Sequence, residues 1–156
     1  MNKPLPIAKD LFSQKAADYA RFRPTYPEEL FAYLATLAPG LDVAWDVGTG
    51  NGQAAALLAN HFAQVIATDS SPQQIKSATQ NPKVRYQVGI AERAELNTHS
   101  IDMITAAQCF HWFYASEFFD EAKRVLKPGG VIALITYNLA QITPEVDAQI
   151  LKLYQE

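Results

Sequence analysis

The feature that most constrains this chain is a glycine-rich stretch, WDVGTGNGQ at residues 45–53. Three of the seven glycines stand at alternate positions within it, at Gly48, Gly50 and Gly52. A short apolar strand is predicted to end at Val47, and an alanine-rich helix follows the last glycine. A strand-to-helix turn without a ligand would need one such glycine. Three indicate a backbone that a ligand approaches closely, because glycine has no Cβ and permits positive φ.

Apolar runs that alternate with helical segments continue along the chain and predict five strands. Such alternation is typical of βαβ units and a parallel sheet. We therefore predict an α/β fold with a Rossmann-like, doubly wound parallel sheet in the strand order 3-2-1-4-5 and helices on both faces. The predicted strands are residues 42–47, 64–69, 84–89, 101–108 and 131–137. The predicted helices are residues 9–23, 26–40, 53–62, 72–80, 113–126 and 143–155.

The length of 156 residues fits a single domain. The link at residues 89–100 is short and polar and predicts at most one turn of helix. We expect the domain to consist of an N-terminal helical cap at 1–40, a Rossmann-like core at 41–138 and a terminal helix at 143–156. The apolar stripe predicted for the helix at 26–40 consists of Leu30, Tyr33, Leu34 and Leu37.

Composition argues against several function classes. The net charge is −3 without a basic stripe, so nucleic acid is not the expected partner. The chain has no apolar run of about 18 residues and no signal-peptide core, so no membrane partner is expected. The single cysteine, Cys109, fits a reducing compartment and a cytoplasmic location. No metal is expected, because no cluster of histidine, cysteine or acidic residues has ligand spacing.

Asp69 supports a nucleoside ligand. It ends the second predicted strand, nineteen residues after Gly50, where an acid can accept both ribose hydroxyls. The alternative is a cap on the next helix, a role that Ser71 could also fill. A nicotinamide-dependent dehydrogenase is the weaker enzyme hypothesis, because Gln53 stands where the dinucleotide fingerprint requires glycine and no Tyr-x-x-x-Lys pair is present.

Several segments together resemble one known family. WDVGTGNG, ATDSSPQQI and EAKRVLKPGGVIAL resemble the glycine loop, ribose-binding strand end and fifth-strand entry of class I S-adenosylmethionine-dependent methyltransferases. FSQKAADYARFRPTYPEEL and AAQCFHWF are similar to its small-molecule branch, the methyltransferase type 11 proteins that include trans-aconitate methyltransferase-like proteins. The resemblance implies S-adenosyl-L-methionine as cofactor and methyl transfer to a small molecule, with carboxylates among the candidate acceptors.

The resemblance also implies something about the sheet edge. The family sheet has seven strands, and its last two form an antiparallel hairpin, whereas five strands are predicted here. We therefore expect a chain truncated at its C-terminus, with the fifth-strand edge covered by the missing segment or by a second copy in a homodimer. A cofactor-binding fragment or regulator without catalysis is the alternative to an enzyme.

The family's cofactor residues carry over to matching positions of this chain. The resemblance implies that Asp46 reaches the cofactor's amino group, directly or through water, and that Asp69 holds the ribose. Ile90 departs from an acid found in many relatives, so the side chain that reads the adenine amino group stays open. The remaining implied cofactor residues are Tyr19, Arg23, Gly48, Thr49, Gly50, Gly52, Ser70 beside the adenine, Ala91, Glu92 and Gln108.

His111, in QCFHWF, is the candidate catalytic residue. A histidine there can act as general base for a hydroxyl or amine acceptor, whereas a carboxylate acceptor needs no base at neutral pH. The alternative is a histidine packed and hydrogen-bonded among aromatic side chains. We expect Cys109 to pack as a small apolar residue.

Overall fold

The computed structural model describes residues 25–137 and 142–153. The predicted helix at 9–23 and the candidate cofactor residues Tyr19 and Arg23 lie outside these residues.

Five strands form one fully parallel sheet in the order β3-β2-β1-β4-β5, which confirms the predicted topology. The strands are aligned so that their carboxyl ends meet at one edge, with Val47 opposite Thr68 and Ala107 opposite Ile135. The switch point in strand order lies between β1 and β4, which is where ligands bind in such sheets. The strands are β1 (Val43–Val47), β2 (Gln64–Asp69), β3 (Val84–Val88), β4 (Ile101–Ala107) and β5 (Leu126–Ile135).

The helices described are those that the sequence predicted, each somewhat shorter. The link at residues 89–100 contains no helix, as expected from its polarity. A 3-10 turn at Phe110–Trp112 follows β4. The helices are α1 (Glu28–Leu37), α2 (Gln53–Leu58), α3 (Pro72–Ser77), α4 (Ala115–Val125) and α5 (Pro144–Leu153).

The sheet is covered on both faces by apolar packing. On one face, α1 and α2 bury Phe31 and Leu58 against inward side chains of β1, β2 and β4. On the other face, α4 buries Phe118 and Val125 against Trp45 and its neighbours. Strands enclosed in this way read as nearly continuous apolar runs, and all seven residues of β4 are buried.

The apolar stripe predicted for α1 is wrong in part. Tyr33 is 61% exposed and Leu37 is 45% exposed. The buried face consists instead of Phe31, Leu34 and Ala35, at the i, i+3, i+4 spacing of a helix that packs on a core. Phe31 fills the site next to the sheet, so the helix is rotated away from the predicted stripe.

β5 begins five residues earlier than predicted and ends two residues earlier. Its pairing with β4 shifts between Ile101–Leu126 and Met103–Val131, so residues 127–130 form a bulge. Lys127 in this bulge donates to the carboxylate of Asp102, at 2.9 and 3.0 Å. That carboxylate is 1% exposed, and the ion pair therefore fixes the amino end of β5 to β4.

Candidate functional site

The glycine loop lies at the carboxyl edge of the sheet and all three of its glycines have positive φ. A Cβ on Gly48 would lie 2.6 Å from the sulfur of Cys109, and one on Gly52 would overlap the ring of Tyr86. Among the described residues, the nearest atom to a Cβ on Gly50 would be Gln74 Oε1, at 3.9 Å. Packing therefore accounts for two of the glycines, whereas at Gly50, φ +58°, the described residues leave room for a Cβ.

Asp46 is the buried acid of the site, 1% exposed at the end of β1. Its Oδ2 accepts a hydrogen bond from Thr49 Oγ1 at 2.6 Å, and its Oδ1 accepts one from Thr105 Oγ1 at 2.7 Å. Burial raises the pKa of Asp46 to about 6, although both hydroxyl bonds act in the opposite direction. The carboxylate thus joins the glycine loop to β4.

Asp69 joins the glycine loop to the end of β2. Its Oδ2 accepts from the backbone N–H of Gly50 at 2.9 Å, and its Oδ1 accepts from that of Ser71 at 2.9 Å. The cap of α3 is supplied by Ser71, whose Oγ accepts from the Gln74 N–H at 3.4 Å. Each carboxylate oxygen of Asp69 has a second lone pair and can accept a further hydrogen bond.

The residues expected around an adenine flank the carboxyl ends of β2 and β3. Ser70 is exposed and Ala91 is buried. Oε1 of Glu92 accepts from the backbone N–H of the residue before α4, at 2.8 Å, so this side chain anchors the connection to that helix. Ile90 is 40% exposed and leaves an apolar surface at this position.

The connection at residues 89–100 depends on α4 for its hydrogen bonds. Glu121 Oε1 accepts from the Ala94 N–H at 2.7 Å, and Arg124 donates to the carbonyl oxygens of Ala94 and Leu96 at 3.2 and 2.8 Å. The hydrogen bond from Arg124 holds the pKa of Glu121 below its ordinary value. This ion pair holds the segment in place without a helix.

Gln108 follows β4 at the switch point of the sheet. It has a left-handed backbone, φ +56°, and its N–H donates to the carbonyl oxygen of Ile135 at 2.8 Å. Within the part of the chain that the structure describes, its side-chain Nε2 is buried without a hydrogen-bond partner, and so is Oε1 of Gln53, the residue directly after the glycine loop. Unpaired buried amide atoms beside the glycine loop fit a polar ligand that binds there.

The turn after β4 presents His111 to solvent. Phe110 and Phe113 pack inward against Phe118, with ring centroids 5.9 and 5.1 Å away, and anchor the turn. His111 is exposed, and its ring lies 5.0 Å from that of Trp112. The alternative of a packed histidine is therefore wrong.

Cys109 is buried against Gly48, as expected of a small apolar residue. Its Sγ also donates to the carbonyl oxygen of Val47 at 3.1 Å.

Two features of the site were missed by sequence reasoning. Thr105 is a lone hydroxyl residue in a buried strand, and that isolation is a signal that it has a polar partner. Gln53 was considered only as a missing glycine. Its place directly after the loop could have marked it as a candidate ligand residue.

Within the described ranges, no three histidine, cysteine or acidic residues are grouped so that they could hold a metal ion. No helix of the described residues has the length and apolar character needed to cross a bilayer.

Comparison with known proteins identifies what this architecture is similar to. A family model described as "Methyltransferase domain" matches residues 45–134, from β1 to β5. The chain is 37% identical to a methyltransferase-named protein of Dictyostelium discoideum over 154 residues, 96% of this chain and 59% of that protein. It is 31% identical to a malonyl-[acyl-carrier protein] O-methyltransferase of a Marinomonas species over 144 residues, 88% of this chain and 52% of that protein.

Solved structures agree with the sequence comparisons. A structure described as a type II methyltransferase from Anaeromyxobacter dehalogenans superposes with a TM-score of 0.79 at 44% identity, and the match covers 86% of this chain and 57% of that chain. The present chain thus spans less than two thirds of the length of these relatives.

Proposed function

The chain belongs to the class I S-adenosylmethionine-dependent methyltransferases, and from this premise we propose that it transfers the cofactor's methyl group to a small-molecule acceptor. The observation that carries the proposal is the family match over residues 45–134, which includes the glycine loop, Asp69 and residues of all five strands. Because the family uses S-adenosylmethionine, the same match supports this cofactor over a nicotinamide dinucleotide. The activity of the whole protein, and its acceptor, belong to the proposal.

The chain's own residues would bind and orient the cofactor. We assign the ribose to Asp69, whose oxygens keep lone pairs for two hydroxyls, and the methionine and ribose part to the loop around Gly50. Ser70, Ala91 and Glu92 would flank the adenine. Asp46 would hold the loop in shape through Thr49 and reach the cofactor's amino group through water, because its own exposure is 1%.

Methyl transfer depends more on the alignment of the acceptor with the methyl group than on acid–base catalysis by the protein. The cofactor supplies a sulfonium methyl group that is already electrophilic. The protein must hold the acceptor in line with that group and exclude water. A carboxylate acceptor needs no proton removed at neutral pH, and the name of the Marinomonas relative describes methylation of a malonyl group, which has a carboxylate. This supports a carboxylate as the acceptor.

His111 takes a role if the acceptor is a hydroxyl or an amine. It is exposed on an anchored turn at the same edge of the sheet as the glycine loop, and a neutral imidazole nitrogen can accept a proton. We propose it as the general base for such acceptors. The competing function is cofactor binding without catalysis. Intact-mass detection of a methylated product from pooled carboxylic acids, phenols and amines separates the two.

Cofactor binding is tested by thermal unfolding with two ligands. S-adenosylhomocysteine at about 100 times its dissociation constant should raise the melting temperature by about 5–10 °C, because a ligand of the folded state stabilises by mass action. NAD should leave the melting temperature unchanged. Stabilisation by NAD alone, with millimolar S-adenosylhomocysteine without effect, would contradict the proposed function.

Asp69→Ala is the matched variant in that experiment. It removes the acceptor for the ribose hydroxyls, and calorimetry should show S-adenosylhomocysteine affinity lower by on the order of 1.5–3 kcal/mol. Asp120→Ala, at an exposed acid on α4, serves as control and should bind as the wild type does. If the affinity of Asp69→Ala for S-adenosylhomocysteine is unchanged, Asp69 does not bind the ribose, and its role is to hold the glycine loop against β2.

A further inference from the structure

Tyr86 belongs to β3, which is separated from β1 by β2, yet its ring lies directly against the glycine loop. A Cβ on Gly52 would lie 2.9 Å from both Cε1 and Cζ of this ring and still closer to its hydroxyl oxygen. The half-buried ring also packs against the core cluster that α1 and α2 cover. The position of the tyrosine ring therefore limits where the end of the glycine loop can lie.

The hydroxyl of Tyr86 reaches the same loop by a second route. Its Oη donates to the carbonyl oxygen of Thr79 at 3.0 Å, and the backbone N–H of Thr79 donates to the carbonyl oxygen of Asn51 at 3.4 Å. Thr79 is an exposed residue in the link between α3 and β3. Burial raises the pKa of the Tyr86 hydroxyl, so this group remains a donor at neutral pH. The two bonds form a relay from Tyr86 through the backbone of Thr79 to Asn51.

The relay complements the two carboxylates that hold the glycine loop. Asp46, on β1, accepts from Thr49, and Asp69, on β2, accepts from the N–H of Gly50. The relay adds a bond from the β3 side to the next residue, Asn51. Three consecutive loop residues are thus held from three neighbouring strands. A glycine-rich loop has many backbone conformations, and a ligand binds more tightly when the protein has already selected one of them.

We propose that Tyr86 is a positioning residue for cofactor binding, and that its hydroxyl acts through the relay to hold Asn51 and the glycine loop in the conformation that binds. This inference rests on the proposed function, since the cofactor is the ligand of the loop. Tyr86 acts through the loop backbone and makes no bond to the cofactor. Loss of its hydroxyl should therefore weaken binding by loosening the loop in the free protein.

Tyr86→Phe tests the hydroxyl alone, because phenylalanine keeps the ring and its packing. In the ligand-free variant, amide hydrogen exchange at Gly50 and Gly52 should be about two- to tenfold faster, as expected for the loss of one hydrogen bond that holds the loop. Calorimetry should show affinity for S-adenosylhomocysteine lower by about two- to tenfold. Tyr33→Phe, at an exposed tyrosine of α1, is the matched control and should change neither measurement.

Two variants of Thr79 test the middle of the relay. Thr79→Pro removes the N–H that donates to Asn51, and the preceding residue, Ala78, already has the extended backbone that proline requires, with ψ 138°. It should weaken S-adenosylhomocysteine binding, and the double variant with Tyr86→Phe should bind no more weakly than the weaker single variant, because both changes break one relay. Thr79→Ala keeps the backbone N–H and carbonyl and should bind as the wild type does.

The outcomes separate this inference from the proposed function. Unchanged exchange at Gly50 and Gly52 in Tyr86→Phe, or unchanged affinity for S-adenosylhomocysteine, would overturn the positioning role while methyl transfer stands. Additive losses in the double variant would also overturn it, because Tyr86 and Thr79 would then act separately. If Thr79→Pro does not fold, the exchange and affinity of Tyr86→Phe still decide. Failure of the wild type to bind S-adenosylhomocysteine would overturn the proposed function instead, and the exchange measurement, which needs no ligand, would still report whether Tyr86 holds the loop.

Discussion

At the residue scale, the ionisation of Asp46 makes the stability of the fold depend on pH. Burial raises its pKa from 3.8 to about 6. Between about pH 4 and 6 the folded chain keeps the proton that the unfolded chain has lost. The contribution of Asp46 to stability is therefore largest below pH 4, falls as the pH rises towards 6, and stays at its reduced value above that.

Asp46→Asn should remove this dependence. An asparagine can accept from one of the two threonine hydroxyls and donate to the other, so the packing of the loop is kept. At pH 7 the variant should be more stable than the wild type by roughly 1–3 kcal/mol, and at pH 4 the two should be equal. Urea unfolding at a series of pH values measures the free energy of unfolding of both proteins. In the difference between the two values, the contributions of the other titrating groups cancel. A difference that is the same at every pH would show that Asp46 ionises normally in the fold.

At the element scale, the turn at Phe110–Trp112 presents His111 while its phenylalanines hold it against α4. With a hydroxyl or amine acceptor, His111→Ala should lower turnover by roughly 10²–10⁴-fold. Affinity for S-adenosylhomocysteine should be preserved, because the anchoring side chains remain. His61→Ala, at a histidine paired with Glu28 on an exposed surface, is the control. Normal turnover in the folded fraction of His111→Ala would exclude a catalytic role.

The elements also show what local sequence patterns can predict. The five strands and the position of the glycine loop follow from apolar runs and spacing, and parallel strands bring the loop and Asp69 to the same edge of the sheet. The start of β5 cannot be predicted in this way, because the sequence KPGG at 127–130 is typical of a turn. The bulge is fixed by Lys127 and Asp102, which lie 25 positions apart.

The same limit applies to α1 and to the candidate site. The sequence of α1 permits two apolar stripes, and only packing on the sheet selects the one with Phe31. At the site, the bond between Asp46 and Thr105 joins residues 59 positions apart, and no local pattern contains it. Pairing across strands decides these contacts, so they appear only once the sheet is assembled.

At the scale of the whole molecule, one edge and one helix present apolar surface. In the described residues β5 pairs with β4 on one side only. Leu134 and Tyr137 are each 43% exposed near the end of that strand. On α5, Val146 is 41% exposed and Leu151 is 52% exposed. Exposed strand edges and apolar helix faces invite association, and proteins normally cover them.

We propose that this edge is covered, by a further segment where the chain is longer and by a second copy where these 156 residues stand alone. Light scattering on the 156-residue protein should then give the mass of a dimer, or a mass that rises with concentration. Leu134→Lys should reduce the association, because a charge on an edge strand opposes pairing. Tyr33→Lys, at an exposed position of α1, should not reduce it. A monomer that stays monomeric across dilution and does not aggregate would show that the edge is already protected, and the proposal of a covering partner would fail.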